Sequence, residues 1–187
     1  DERQHAASAG IGRLVRVQLQ DSIERFEGQL PALARRISDP TGQPRQLPRG
    51  LRALAGPEAR AWQPVDAEAE RLLQRHAAAL QQQLMDLGEH GLVEVLPLQA
   101  PAPPWLIVSL ATETPGRRVR LLVDLAELLD PGLPSDELGY VMELHSAQQR
   151  LWTNTTRLPP AAPWLSLPLR GFDQDWELRV APSAETA

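Results

Sequence analysis

The sequence predicts an α+β fold in which two helices precede an antiparallel sheet of five to seven strands. In the first half of the chain, apolar residues recur every three or four positions along two long segments, which indicates helices that bury one face. After Gly91 the pattern changes to short, partly alternating apolar segments separated by turn residues, which is typical of antiparallel strands. The order of elements is therefore helix, helix, strands, short helix, strands.

The first predicted helix covers residues 11–37. Pro31 lies inside the pattern and predicts a kink or a restart, because proline removes one helical hydrogen bond and clashes with the preceding turn. A stripe of this length needs a partner surface, either a sheet face or a second copy of the helix. The stripe consists of Ile11, Val15, Leu19, Ile23, Phe26, Leu30, Leu33 and Ile37.

Residues 38–63 are rich in Pro and Gly and predict a loop, with at most a short helical turn near residues 51–54. A second helix is predicted from Pro64, which suits a first turn, to a C-terminal cap at Gly88. Acidic residues in its first turn complement the positive end of the helix dipole. Its buried stripe is predicted to contain Val65, Ala69, Leu72, Leu73, His76, Leu80, Leu84 and Leu87.

Short strand-like segments fill the second half of the chain. A short helix, "DLAELLDPGL", follows the third of them and is stopped by Pro131. Thr114-Pro115-Gly116 predicts a tight turn, since Pro suits the second position and Gly supplies a positive φ. The predicted strands are "LVEVLPL", "WLIVSLAT", "RRVRLLVDL", "YVMELHS", "RLWTN", "WLSLPLR" and "QDWELRVA".

The segment "GFDQDWELRV", residues 171–180, carries acids at every second position, as a calcium-binding loop does. Trp176, Leu178 and Val180 alternate with them, which is the pattern of a half-buried strand whose acids face solvent. A calcium loop would also need a Gly at its turn and a bidentate Glu at its end, and both are missing at the required spacing. We therefore predict a hairpin at Gly171 and no metal site.

Composition narrows the classes of function. A net charge of −5 and a pI near 5.4, without a basic stripe, argue against nucleic acid as a partner. The absence of Cys excludes disulfides, reactive thiols and thiolate zinc sites. No apolar run is long enough to cross a bilayer. The chain begins without Met, from which we expect a piece of a longer protein.

No enzyme motif is present: the sequence has no G-x-S-x-G, no Walker A loop and no G-x-G-x-x-G. The histidines are scattered, and none forms an i, i+4 pair with another, so a metal cluster is not predicted. His76 lies on a helical apolar stripe and is interpreted as a packed core residue. We predict no catalytic residue, no metal and no cofactor.

Strand parity suggests one pocket for a small ligand. Polar side chains from three predicted strands would converge beside an aromatic wall if loops cover that side of the sheet, which is how small-ligand sites are built. The alternative is a solvated face with no ligand. The predicted ligand-binding residues are Arg120, Glu143, His145, Trp152 and Asn154.

Four segments carry a resemblance to a known family: "AWQPVDAEAERLLQRH", "RVRLLVDLAELLDPGL", "GYVMELHSAQQRLWTNT" and "WLSLPLRGFDQDWELRVAPS". The third resembles the central hairpin of PAS-type domains, and the last resembles their closing strand pair. Over residues 60–182 the chain resembles an extracytoplasmic PAS-like sensor domain of the Cache (PDC) or CHASE kind. The Tyr-Phe-Pro-Val block of CHASE domains and the Cache amino-acid-binding signature are absent, so the resemblance assigns no ligand residue.

The resemblance implies a periplasmic domain of an inner-membrane receptor, in most cases a sensor histidine kinase and otherwise a diguanylate cyclase or chemoreceptor. Residues 1–37 would be a membrane-proximal helix and residues 38–187 a PAS-like sensor domain, together forming one structural unit between two transmembrane helices. The domain itself would not be an enzyme.

Its partner would be an unknown small molecule or a periplasmic protein, and the long first helix suggests a homodimer. The alternative is a periplasmic docking domain of a secretion or pilus assembly apparatus.

Overall fold

The protein has an α+β fold with a long N-terminal helix and antiparallel strands, as the sequence predicts. The computed structural model describes residues 2–38, 47–56, 61–85, 93–96, 104–111, 118–129, 139–147, 149–155 and 164–183. The helices are α1 (Glu2–Ser38), α2 (Ala67–Arg75), α3 (Ala77–Met85) and α4 (Leu125–Leu129). The strands are β1 (Leu51–Ala55), β2 (Gln63–Pro64), β3 (Val93–Leu96), β4 (Trp105–Ala111), β5 (Arg118–Val123), β6 (Tyr140–Ser146), β7 (Gln149–Thr153), β8 (Leu165–Gly171) and β9 (Gln174–Pro182).

The strands form two sheets, so the prediction of one sheet of five to seven strands is wrong. One sheet has five strands in the order β2-β1-β5-β4-β3, and the other has four in the order β7-β6-β9-β8. All seven predicted strands exist, but alternation along a strand reports only which face is buried. It carries no information on which strand is the neighbour, so the division after β5 could not be derived from it.

The chain divides into two compact units, one of residues 1–24 with 129–187 and the other of residues 25–128. Helix α1 contributes to both units and continues through Pro31 as one helix, without the restart that the sequence allowed. Its predicted stripe is buried at most positions, and Val15, Leu19 and Ile23 are fully inaccessible to solvent. The side chain of Ile37 lies outside the described residues.

In the first unit, α1 packs on one face of the four-stranded sheet. The contact is close at Gly12, where an added Cβ would lie 2.8 Å from Cδ1 of Leu167 and 3.3 Å from Cγ2 of Val180. A larger residue at this position would push the helix away from the sheet. The other residues of this apolar face, by strand register, are Met142, Leu144, Leu165, Leu169, Trp176 and Leu178.

The edge of this sheet, strand β8, is closed by side chains of α1. The amide of Gln20 donates to the carbonyl of Arg170 at 2.8 Å and accepts from the N–H of Arg170 at 3.0 Å. Arg16 donates to the carbonyl of Pro168 at 3.4 Å, and Pro168 itself has no N–H to expose. These contacts satisfy backbone groups that would otherwise be free to pair with another chain.

The second unit is built around the five-stranded sheet. Helices α2 and α3 pack against a core that contains Ala53, Trp105, Ile107 and Leu122, all buried. The partly buried Trp62 extends this core and donates from its indole nitrogen to the carbonyl of Leu80 at 3.4 Å. Residues on the other side of the same strands are also buried, among them Leu106, Val108, Leu121 and Val123.

The second predicted helix is divided into α2 and α3 at His76. Asp66 caps the N-terminus of α2 and accepts from the N–H of Ala69 at 2.7 Å. The chain then turns at His76, whose N–H donates to the carbonyl of Leu73, and the imidazole packs edge-on against Trp105 with ring centroids 5.7 Å apart. His76 therefore packs on a core residue, as predicted, but is itself only half-buried, while Gly88 lies outside the described residues.

Strand β1 occupies a segment predicted as a loop with a helical turn, so that prediction is wrong. Leu51, Ala53 and Ala55 are buried and alternate with half-buried neighbours, which is the burial pattern of a strand. Alanine is small and favours helices, so it gives a weak sequence signal in a strand. Pairing with β5 decides the conformation here.

Candidate functional site

The face of the four-stranded sheet opposite α1 carries a cluster of ionisable side chains. Along β6 and β9 these residues alternate with the apolar ones, and strand register pairs Glu143 with Arg179 and His145 with Glu177. In the pair of Glu143 and Arg179, opposite charges face each other across neighbouring strands, an arrangement that stabilises a sheet. We call this surface the polar face; it comprises Glu143, His145, Arg150, Ser166, Glu177 and Arg179.

Glu143 and His145 lie at the centre of the polar face. They are 8% and 9% exposed, and Nε2 of His145 lies 2.9 Å from Oε1 of Glu143. The half-exposed Arg150 donates to the other oxygen, Oε2, at 3.3 Å. The Glu143 carboxylate is thus held on both oxygens, which offsets part of the free energy lost when it leaves water.

Glu177 is the next acidic group on the polar face. A hydrogen bond from Ser166 lowers the pKa of Glu177 below its ordinary value, and the nearby Arg179 and His145 act in the same direction. Burial opposes the change because it disfavours the charged form. Arg179 donates to Oε2 of Glu177 at 3.4 Å, so the carboxylate is held in its ionised form.

His145 has one ring nitrogen without a partner. Its Nδ1 is buried and makes no hydrogen bond to any of the described residues. Nε2 faces a carboxylate that also accepts from Arg150, and a carboxylate in that role can only accept. Nε2 therefore carries a hydrogen that it donates to Glu143.

The predicted site residues are distributed over different parts of the molecule. Trp152 is buried, but a bulge between its register position and that of Arg150 pairs it with Leu144, on the apolar face. Arg150 is paired with His145 instead. Alternation along β7 predicts that Arg150 and Trp152 lie on the same face of the sheet. This prediction is wrong because the bulge cannot be recognised in the sequence.

Asn154 anchors the end of β7 to β6. Its Oδ1 accepts from the N–H of Met142 at 2.9 Å, and its Nδ2 donates to the carbonyl of Tyr140 at 3.0 Å. The side-chain amide thereby takes the place of a backbone partner. Asn154 positions the strand that carries Glu143.

Arg120 lies on β5 in the five-stranded sheet, with its Cα paired to those of Ala55 and Ser109. It belongs to the unit of residues 25–128, whereas the polar face belongs to the other unit. Of the five residues predicted from sequence, the structure therefore brings Glu143 and His145 into direct contact.

The hairpin predicted at Gly171 is confirmed. β8 and β9 are joined by Phe172 and Asp173, both with positive φ, and the last pair of the register is Gly171 with Gln174. Gly171 is required by packing, since an added Cβ would lie 2.7 Å from the ring of Trp176. The predicted alternation of β9 is confirmed as well: Trp176, Leu178 and Val180 are buried.

Arg150, Ser166, Glu177 and Arg179 complete the polar face and were not in the predicted set. The alternation of residues along β9 predicts that Glu177 and Arg179 lie opposite its apolar face, and the structure confirms this. The missing information was that β9 lies beside β6 and brings them next to His145. A search for alternating acids and bases on consecutive strands could have found them.

Among the residues that the structure describes, no group of three or more His, Asp or Glu is arranged to hold a metal ion. None of the described helices, α1 included, is both long and apolar enough to cross a membrane. No protein family, curated protein or solved structure was found to match this chain.

Proposed function

We propose that this chain is a periplasmic sensing domain of a membrane-bound receptor, of the PAS-like Cache or CHASE kind, and that the receptor is a two-component sensor histidine kinase. The observation that carries the proposal is the buried Glu143–His145 pair, in which Nδ1 of His145 makes no hydrogen bond to any described residue. The helix-then-sheet order of the chain and the sequence resemblance support the class of receptor.

A buried ionic cluster contributes little to the stability of a fold. Taking charged groups out of water costs several kcal/mol for each ion, and apolar residues of similar size often stabilise a fold as well or better. Clusters of this kind occur at functional sites, where partly satisfied polar groups receive a ligand. The polar face therefore supports a role in binding either a small molecule or a periplasmic protein.

Transmission of a signal follows from what lies on the two faces of the same sheet. Glu143 and His145 are on β6, which pairs with β9 along its whole length. The opposite face contacts α1 at Gly12, and Gln20 holds the β8 edge. A ligand that favours one position of β6 and β9 would also favour one position of α1.

The proposal is tested in the full-length receptor with Glu143→Gln and His145→Gln. Each variant is expected to alter the kinase output, measured as autophosphorylation or as a transcriptional reporter, while the protein remains folded. Asp175→Asn is the matched control, because Asp175 is on the neighbouring strand β9 of the same sheet but its side chain is 97% exposed. Unchanged output in both variants, or a full-length chain without any signalling module, would contradict the proposal.

One observation favours a docking role in addition. Leu14 and Val17 are 56% and 59% exposed on α1, one helical turn apart, and so form a small apolar patch away from the buried stripe. This patch could carry the homodimer contact, or the protein contact of a secretion or pilus assembly component. The part of the stripe from Val15 to Leu33 is buried within the chain and is not available for a partner.

The patch is tested with the double variant Leu14→Asp, Val17→Asp. If α1 mediates a homodimer, the mass measured by analytical ultracentrifugation should fall from dimer to monomer with unchanged helicity. Gln18→Asp, at an exposed neighbouring position, serves as the control. A wild-type protein that is monomeric at all concentrations, or a double variant that stays dimeric, would exclude dimerisation through this patch.

A further inference from the structure

We propose that a cleft beside α1 binds a small molecule that combines a carboxylate with an apolar tail. The cleft has a volume of about 620 Å³, which is within the range of small-ligand sites. All of its lining residues belong to the unit of residues 25–128, so the proposal goes beyond the sensing role of the polar face. We call it the α1 cleft; its lining is Gly28, Gln29, Ala32 and Leu33 of α1 together with residues 47–49.

Gly28 leaves the α1 cleft open on the helix side. A Cβ added at this position would meet no other described residue within 4 Å. Gly12 of the same helix differs, because a Cβ there would lie 2.8 Å from Cδ1 of Leu167. Close packing within the chain therefore accounts for glycine at position 12, whereas at position 28 the missing side chain leaves space in the cleft.

The lining carries apolar side chains from both of its segments. Ala32 follows Gly28 by one helical turn and shares its face of α1. Leu33 of α1 and Pro48 are buried, and Leu47 is half-buried. Carbon surface of this kind gains free energy when an apolar group covers it, so the lining favours a ligand with an apolar tail.

Contacts with α4 hold residues 47–49 in place. The carbonyl of Gly50 accepts from the N–H of Asp124 at 2.8 Å, and the N–H of Leu51 donates to the carbonyl of Pro48 at 3.2 Å. Gly50 has a φ of 93°, and a Cβ added there would lie 2.7 Å from Cβ of Leu128, so this close approach to α4 requires glycine. A wall fixed in this way lowers the entropic cost of binding.

Arg49 supplies the charge of the cleft lining, whose other members are uncharged. Its Nε donates to the carbonyl of Glu127 at 3.2 Å and lies 3.5 Å from Oε1 of the same residue. Nε carries only one of the five N–H donors of a guanidinium, so these contacts do not use the donors on Nη1 and Nη2. A carboxylate can accept from two such donors at once, which is a strong and directional form of binding.

The charge of Arg49 determines the head group of the ligand. An ammonium group would be repelled by the guanidinium, and an uncharged group would gain less from it than a carboxylate does. Glu127 neutralises Arg49 only in part, because its Oε2 also lies 3.9 Å from Arg52. The side chain of Arg49 is 51% exposed, so a bound carboxylate would keep part of its contact with water.

The test measures the binding of octyl compounds to this 187-residue chain by calorimetry and by NMR of its nitrogen-labelled amides. Sodium octanoate is the probe, and 1-octanol and octylammonium chloride have the same tail with a neutral and a cationic head group. Octanoate should bind saturably and shift the amide signals of Gly28, Gln29 and Arg49. Octanol should bind about tenfold more weakly or worse, and octylammonium should not shift these signals.

Gly28→Leu is the decisive variant, because leucine fills space in the cleft and has a higher helix propensity than glycine, so the fold should remain intact. Octanoate should then cause no saturable shift at Arg49. Gly10→Leu is the matched control: a Cβ at Gly10 also meets no described residue within 4 Å, but Gly10 is not part of the cleft lining. This control should bind octanoate as the wild type does.

Arg49→Gln tests the head group separately from the apolar lining. Loss of the charged partner should weaken octanoate binding about tenfold and leave octanol binding unchanged. Equal binding of octanoate by Arg49→Gln and wild type, or binding of octanol or octylammonium as tight as that of octanoate, would overturn the ligand class.

The site itself is overturned if octanoate causes no saturable shift at Gly28, or if Gly28→Leu binds octanoate as well as Gly10→Leu does. Neither result bears on the sensing function, which is judged by the kinase output of the Glu143 and His145 variants. Unchanged kinase output together with octanoate binding that is lost in Gly28→Leu would remove the sensing role of the polar face and support the α1 cleft.

Discussion

The two sheets of this protein use strands of similar composition in different ways. In the five-stranded sheet both sides of β4 and β5 are buried by apolar residues, and Trp105, Ile107 and Leu122 form its core with α2 and α3. In the four-stranded sheet one face is apolar and covered by α1, while the other holds Glu143 and His145, which are buried to a similar extent.

The difference indicates where the chain gives up stability for another purpose. An apolar face gains free energy from burial, whereas a buried ionic face roughly breaks even. A fold that can build the first kind of sheet has no need of the second for stability alone. The polar face is therefore the part of the molecule in which to look for function.

The largest expected effect is in the apolar sheet. Leu122 is fully buried, so Leu122→Ala should lower the free energy of unfolding by about 2–5 kcal/mol, through lost burial and a residual cavity. Urea denaturation measures the change. Val17→Ala, at a 59% exposed position, is the control and should change stability by less than about 0.5 kcal/mol. Equal effects of the two substitutions would contradict the assigned core.

The next effect distinguishes an ionic face from an apolar one. Glu143→Ala leaves the buried Nε2–H of His145 without an acceptor and should cost about 1–3 kcal/mol. The double variant Glu143→Leu, His145→Leu makes the centre of this face apolar, like the buried faces of the five-stranded sheet. The double variant should be at least as stable as the wild type to within about 1 kcal/mol, but should not respond to ligand.

Urea denaturation of both variants measures this contrast. If the double variant is as unstable as Glu143→Ala, the ionic cluster supports the fold and the difference drawn between the two sheets is wrong.

A smaller effect is expected where α1 closes the edge of β8. Gln20→Ala removes two hydrogen bonds to Arg170 and should lower stability by about 1 kcal/mol, because both bonds are solvent-exposed. The exposed backbone should also promote association, visible as a rise in light scattering on heating. Gln18→Ala, on the exposed side of the same helix, should have neither effect.

The smallest effect concerns the pH dependence of Glu177. Its pKa is lowered in the folded protein, first by Ser166 and then by Arg179. Its contribution to stability is therefore complete above the unfolded-state pKa of about 4.3 and is lost as the pH falls through the lower folded-state pKa. The difference in melting temperature between wild type and Glu177→Gln should shrink over that acidic range. A difference independent of pH would contradict the assignment, and the fully exposed Asp175→Asn provides the baseline.

The success of sequence reasoning differed from element to element. Strand β6, Tyr140–Ser146, coincides with the predicted segment "YVMELHS", and the alternation of β9 is correct at each of Trp176, Leu178 and Val180. Strand β1 was missed because its buried positions include Ala53 and Ala55, which give a weak strand signal. The break at His76 was missed because the apolar period continues across it.

In the candidate site, the sequence identified Glu143 and His145 because both alternate with apolar residues on one strand. It could not show that β9 brings Glu177 beside them, that a bulge places Trp152 on the other face, or that Arg120 belongs to another sheet. Each of these depends on strand pairing, which involves residues far apart in the chain.

By itself the sequence determined the α+β class, the long first helix, the seven strands after Gly91 and the inward face of the last strand, because helix and strand periodicity are local properties of the chain. Only the tertiary structure decided that there are two sheets, that α1 closes the β8 edge, and that Nδ1 of His145 is buried without a partner among the described residues. Those features depend on which distant segments pair, and that choice is made by the packing of the whole chain.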